Sequence, residues 1–280
     1  MSNDDRPQIA GRWWRGPNAG QAGILSDVRA GLVHGVLSNG ARVLGSPHDF
    51  QAQSGETGDS LLGMLLPRPT ASSFFAGAVR EALAAVRSTA IFGRQDTRAW
   101  ETPSLYIVDD GEGNAASAQL LAGAVVGAMC SHDPTRHFEI LDELVPAGQR
   151  EALASLLRLP FLQSTTSLVT AIFWTEDGRL SSPEPWFETY QFGGEIFRRE
   201  LLGEAAWRRE AAEQHDLDAA TACAIVDISK RATPLKPIEL TEEDVTRLLP
   251  HGAAHREEAS LQLFGGGTFT IESKAGSVTF

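Results

Sequence analysis

Cysteine is almost absent. Cys130 and Cys223 are the only two in 280 residues, which excludes a disulfide framework and leaves stability to an apolar core. Lysine is withheld from most of the chain: the first is Lys230, and the basic residues before it are arginines. Any role that needs a lysine ammonium upstream of that point is therefore excluded. Long apolar runs are also missing. The longest, Leu120 to Cys130, is too short to span a bilayer, and the polar start MSNDDRPQ has no apolar signal-peptide core. A cytosolic protein with two reduced thiols is predicted, with no membrane partner.

Positive charge is scarce as well. With 36 acidic against 24 basic residues the net charge is −12, which repels nucleic-acid phosphates and anionic lipid, so nucleic acid is excluded as a partner. What is present is ordinary for a globular chain: 42% hydrophobic and 21% charged residues, with 14 Pro and 27 Gly, enough for one large domain or two small ones.

Residues 1–20 read as an arm or loosely held strand carrying Trp13-Trp14, and 24–45 as a small sheet or hairpin module turning at Asn39-Gly40. A composition shift near residue 70 divides an N-terminal arm and strand-rich module, 1–66, from a larger mixed domain, 67–280. Serines 72 and 73 precede apolar residues at helical spacing, which predicts a helix over about 76–90. Further along, Ser104–Val108 reads as a strand and Asn114–Cys130 as a small-residue helix or a helix running into a strand. An amphipathic helix follows over Ala147–Leu157, then a buried central strand over Ser167–Trp174. Helical periodicity returns over 187–215, Ala222–Ile228 reads as a strand, and a capped helix begins at Thr241. Gly265-Gly266-Gly267 introduces a last strand or arm.

The octet CSHDPTRH, Cys130–His137, concentrates a thiol, two imidazoles and a carboxylate. Its spacing matches no four-ligand zinc pattern, while Asp133-Pro134 is a turn opener; a turn is predicted, and no metal. Cys130 ends an apolar run and reads as a buried, inert thiol. Neither Gly265–Gly267 nor Gly193-Gly194 meets a nucleotide-binding fingerprint.

Taken in order, CSHDPTRHFEILDELVP, a helix, the strand SLVTAIFW, then WFETYQFGGEIFRRELLGEA and ACAIVD resemble the SagB-type dehydrogenases. These are nitroreductase-fold enzymes that oxidise azolines to azoles in ribosomally made peptides. The resemblance covers roughly residues 68–250. It implies an α+β fold with a nitroreductase-like mixed sheet flanked by helices, here with an N-terminal extension. It also implies FMN as cofactor, held by Arg68, Ser72, Ser73, Gly193 and Arg198, with Tyr190 as the acid. Implied partners are a homologous dehydrogenase subunit or a second copy, a cyclodehydratase complex and a precursor peptide.

The departures are specific. The family's catalytic Lys-Tyr pair falls near Glu188-Thr189, where lysine is absent, and its Ser-Ser-x-Arg phosphate segment reads Ser72-Ser73-Phe74-Phe75, without the charge that a phosphate dianion favours. Arg and Glu around Trp207–Glu210 replace an expected Gln-Asn. Three functions follow as expectations: a non-catalytic or half-site partner of an azoline dehydrogenase, an active FMN oxidoreductase acting on a peptide, or an unrelated binding or scaffold protein.

Overall fold

The computed structural model describes residues 8–29, 32–66, 68–92, 98–109, 113–130, 145–159, 169–184, 186, 189, 194–236, 240–249, 270–273 and 276–279. Helices and antiparallel sheets are combined in an α+β arrangement. None of the described helices is long and apolar enough to cross a membrane.

The first sheet has five strands, β1 (Ile9–Trp13), β2 (Ala22–Arg29), β3 (Leu32–Leu37), β4 (Arg42–Gly45) and β5 (Phe50–Ala52), in the order β4-β3-β2-β1-β5. The turn expected at Asn39-Gly40 joins β3 to β4. Gly40 takes a positive φ of 84°, and Ala41 N donates to Asn39 Oδ1 at 3.0 Å, which is why this dipeptide suits a hairpin. Alternation puts Trp13, Leu25, Val33 and Phe50 inside, with Trp13 edge-on to Phe50 at 5.3 Å, and helix α1 (Asp59–Leu65) adds Leu61, Leu62 and Leu65 to that cluster. The two tryptophans therefore part company: Trp13 is core, and Trp14 is exposed.

Helix α2 (Ala71–Phe92) follows. It extends the predicted helix at both ends, and Thr70 rather than a serine caps it. Thr70 Oγ1 accepts from Ser73 N at 3.1 Å while Ser73 Oγ accepts from Thr70 N at 2.9 Å, a reciprocal pairing of the capping-box kind. Between Phe74 and Ala90 nearly every side chain of α2 is buried. A helix buried all round cannot direct polar side chains to water, so its Arg80, Glu81, Arg87, Ser88 and Thr89 need partners inside the protein.

The second sheet runs β6 (Ala99–Thr102), β7 (Leu105–Asp109), β8 (Ala115–Leu121), β9 (Ala124–Cys130), β10 (Val169–Glu176) and β11 (Arg179–Ser181), in the order β11-β10-β9-β8-β7-β6. Every pairing in it is antiparallel. The expected mixed sheet is thus corrected, for a reason of connection: β8–β9 and β10–β11 are joined by two-residue turns at Ala122-Gly123 and Asp177-Gly178, and such links admit only antiparallel neighbours.

Two further expectations fail. Asn114–Cys130 contains the β8–β9 hairpin rather than a helix, with Gly123 at φ 79° making the turn. Ala222–Ile228 lies inside helix α5 (Ala219–Arg231), counted after α3 (Ala147–Leu156) and α4 (Glu204–Gln214). Its start is fixed by Asp218, which accepts from Thr221 N at 2.8 Å. Helix α6 (Glu242–Leu248) has the capping box expected at Thr241, closed by Asp244. The chain ends in a hairpin of β12 (Thr270–Ser273) and β13 (Gly276–Thr279). Gly265–Gly267 and residues 131–144, which hold most of the opening octet, lie outside the described residues.

Helices cover both faces of the second sheet. Helix α3 lies over β8 and β9, enclosing Val126, Ala128, Cys130, Leu153 and Leu156. On the other face α2 meets Tyr106, Met129 and Phe173, with Trp207 of α4 and Ile225 of α5 in the same core.

Candidate functional site

The buried polar residues of α2 find their partners in one cluster. Glu81 has no exposure. Its Oε1 accepts from Trp207 Nε1 at 2.6 Å, and its Oε2 lies 3.0 Å from Arg199 Nε and 3.8 Å from Arg98 Nε. Glu200, equally buried, accepts from Arg98 Nη1 and, at 2.8 Å, from the Tyr106 hydroxyl, both through Oε1. Arg98 also reaches the Ile196 carbonyl at 3.2 Å. Two carboxylates and two guanidiniums thus join α2, the start of β6, β7 and the segment before α4.

Burial pushes the Glu81 carboxyl up, but Arg199, His215 and Arg98 outweigh that effect and lower it to about 2. Glu200 differs. Burial dominates and raises it, Arg98 opposes, and the nearby Glu81 charge adds to the rise. Its Oε2 has no hydrogen-bond partner among the described residues. Burial and Glu200 together raise the Tyr106 phenol well above its usual range.

His215 and Ser88 complete the cluster. Ser88 Oγ lies 3.3 Å from His215 Nδ1, and His215 Nε2 lies 3.4 Å from Glu81 Oε2, the sequence of contacts of a nucleophile, base and orienting carboxylate. Burial decides against that chemistry. Arg199 Nη1 sits 2.9 Å from the same His215 Nε2, so this nitrogen faces a donor and an acceptor at once. Ser88, His215 and Glu81 are all buried, which leaves a substrate no open approach to the serine. The arrangement is a buried structural network.

None of these residues was singled out from the sequence. The signal that would have found Glu81 is a carboxylate inside a helix whose neighbours one turn away, Gly77, Ala78, Ala84 and Ala85, are all small.

The residues expected to hold FMN have the following places. Arg68 is exposed, and its carbonyl accepts from Arg179 at 3.4 Å. Ser73 is taken up in the α2 cap, and Ser72 Oγ is 3.1 Å from Thr70 Oγ1. Arg198 is clamped by both oxygens of Glu210 and lies 3.4 Å from Asp27 on β2. Tyr190 and Gly193 lie outside the described residues. A phosphate dianion brought to Arg198 would meet two carboxylates, and one brought to Ser73 would compete with a helix cap. Arg198 and Ser73 do not fit an FMN phosphate, because their polar groups are already engaged within the fold.

The remaining expectation concerns Cys130. It is buried, and burial pushes its thiol up to about 11, the state of an unreactive core cysteine. Among the described residues no three His, Cys, Asp or Glu side chains are grouped to hold a metal. No family model, no curated protein and no solved structure matches this chain.

Proposed function

We propose that this chain is a non-catalytic binding subunit of a complex that modifies a ribosomally made peptide, working beside an FMN-dependent azoline dehydrogenase of nitroreductase type. The observation that carries the reading is the use of Arg198 and Ser73 within the fold. The ion pair to Glu210 and Asp27 and the α2 cap occupy the groups that flavin would require. The Ser88–His215–Glu81 contacts are buried and closed to a substrate, and they add no alternative catalytic centre.

Support for the peptide-modifying setting is the order of elements. Strand β9 is followed by helix α3, buried strand β10 and, after β11, helix α4, with β9 and β10 paired and α3 laid over β9, an order compatible with the resemblance. The function of such a subunit is to hold its partner or the peptide, and the partner supplies the redox chemistry.

Co-expression with a homologous dehydrogenase tests this directly. Recovery of a stable complex, in which azoline oxidation depends on the dehydrogenase's flavin and persists in an Arg198→Ala variant of this chain, is the expected result. Azoline oxidation by this chain alone overturns the reading.

A further inference from the structure

Of the eight large apolar side chains most exposed among the described residues, Ile24, Leu32, Val36 and Leu44 lie on strands of the first sheet and Trp14 directly follows β1. The four on strands share the sheet's outer face. Ile24 is paired with Val36 and Val36 with Arg42, while Leu44 faces His34 one row along and Leu32 stands two residues before His34 on β3. Ile24, Val36 and Leu44 are 45%, 44% and 51% exposed. Single exposed aliphatics are common, but neighbours on three adjacent strands make a continuous apolar surface.

Charge marks its border. Arg42 closes the row that contains Ile24 and Val36, and Arg12, paired with Ala22, points to the same side. Both are exposed, and neither has an ion-pair or hydrogen-bond partner among the described residues. Residues 1–66 hold 6 of the 36 acidic side chains and 5 of the 24 basic ones, and Asp27, in the row of His34 and Leu44 on this face, is already paired with Arg198.

We infer that the outer face of the first sheet binds an amphipathic helix of a partner protein, one whose aliphatic stripe is bordered by carboxylates. The location of the apolar groups selects a helix. They stand on the face of β2 and β3, interior strands whose backbone is already paired, so an extended segment laid over them would leave its own amide groups without partners. A helix satisfies its backbone internally and packs on a sheet through side chains alone. Arg12 and Arg42 then meet its acidic flanks. An anionic membrane is disfavoured by the net charge of −12. The inference does not depend on the flavin question, since neither the exposed aliphatics nor Arg12 and Arg42 take part in it.

The probe is a fluorescein-labelled helical peptide with a leucine stripe flanked by glutamates, titrated against the whole chain by anisotropy beside a counterpart carrying lysines. The glutamate peptide binds, and the lysine peptide binds far more weakly. The double variant Ile24→Thr/Val36→Thr, which keeps β-branched side chains on the strands, weakens binding by about tenfold or more. Arg42→Glu, at an exposed position, shifts preference toward the lysine peptide. Circular dichroism unchanged from the wild type shows that both variants fold.

Each of these results overturns the inference: no binding of the glutamate peptide, equal binding by the double variant, preference of the unaltered chain for the lysine peptide, or binding of phosphatidylglycerol vesicles that the double variant loses. A self-association that the same variant abolishes and the glutamate peptide fails to displace assigns the face to a second copy and equally overturns it.

Discussion

Arg199 Nη1 lies 2.9 Å from Nε2 of His215, the ring nitrogen that also stands 3.4 Å from Glu81 Oε2. The contact locks the imidazole between a guanidinium and a carboxylate, and Ser88 is buried with it. A fluorophosphonate serine probe is therefore expected to leave Ser88 unlabelled in the native protein, as read by peptide mass spectrometry. Labelling of Ser88 that disappears in His215→Ala contradicts the assignment.

Glu81 is the centre of that cluster, and its loss leaves Arg98 and Arg199 facing each other without their shared carboxylate. Glu81→Gln should lower the unfolding free energy by about 3–5 kcal/mol, the usual result of breaking one side of a buried ion pair. Glu200→Gln should cost clearly less, because an amide oxygen can still accept from Tyr106 and Arg98. Urea unfolding of the two variants distinguishes them, and equal losses contradict the account.

The same two residues impose opposite pH dependences. Glu81 has a folded pKa of about 2 against an ordinary value of 4.5, so its contribution is complete above about pH 4.5 and is lost as the pH falls toward 2. Glu200 is raised, so its contribution is present below its ordinary value and is lost as the pH rises through its folded one. Glu81→Gln should flatten the acid limb of a stability-against-pH curve, and Glu200→Gln should gain on the wild type as the pH rises. The midpoints of urea unfolding across the pH range measure both.

The fold was partly legible before the structure. The Asn39-Gly40 turn, α2, α3, β7, β10 and the cap at Thr241 each have a local signal, a turn dipeptide, a capping residue or a clear period, and each stands close to where the chemistry predicts it. The failures have a common cause. NAASAQLLAGAVVGAMC and ACAIV consist of small or wholly apolar residues, and a segment buried on all sides has no polar face to report a period of 2 or 3.6. The first is a hairpin because Gly123 reverses the chain; the second is a helix because Asp218 caps it.

The candidate site was less legible. Its residues, Glu81, Arg98, Tyr106, Arg199, Glu200 and His215, come from distant positions and carry no spacing motif. Arg198, assigned to a phosphate by resemblance, sits one residue from Arg199 yet faces Glu210 and Asp27 instead. Sequence could not distinguish a charge kept for a ligand from one already paired across 171 residues of chain.

Gly77 shows how tightly α2 approaches the segment that carries Glu200. A Cβ at this position would collide with the Glu200 backbone carbonyl. Replacing a helix-interior glycine by alanine ordinarily gains about 1 kcal/mol, whereas Gly77→Ala should lose about 1–3 kcal/mol through overpacking. Thermal denaturation reads the sign, and a stabilised variant contradicts the close approach.

The two thiols should differ in rate. Cys130 is buried with its thiol raised to about 11, while Cys223 is only partly buried. Iodoacetamide should modify Cys223 first, and Cys130 only once the protein is unfolded. Faster modification of Cys130 in the native state contradicts its place in the core.

The most direct measurement of the central claim is a titration of the purified chain with FMN by calorimetry, together with the visible absorbance of the protein as isolated. The account predicts a colourless protein and no heat of binding, because Ser73 and Arg198 are held by Thr70, Glu210 and Asp27. A yellow protein with stoichiometric FMN, released by Arg198→Ala, would contradict it.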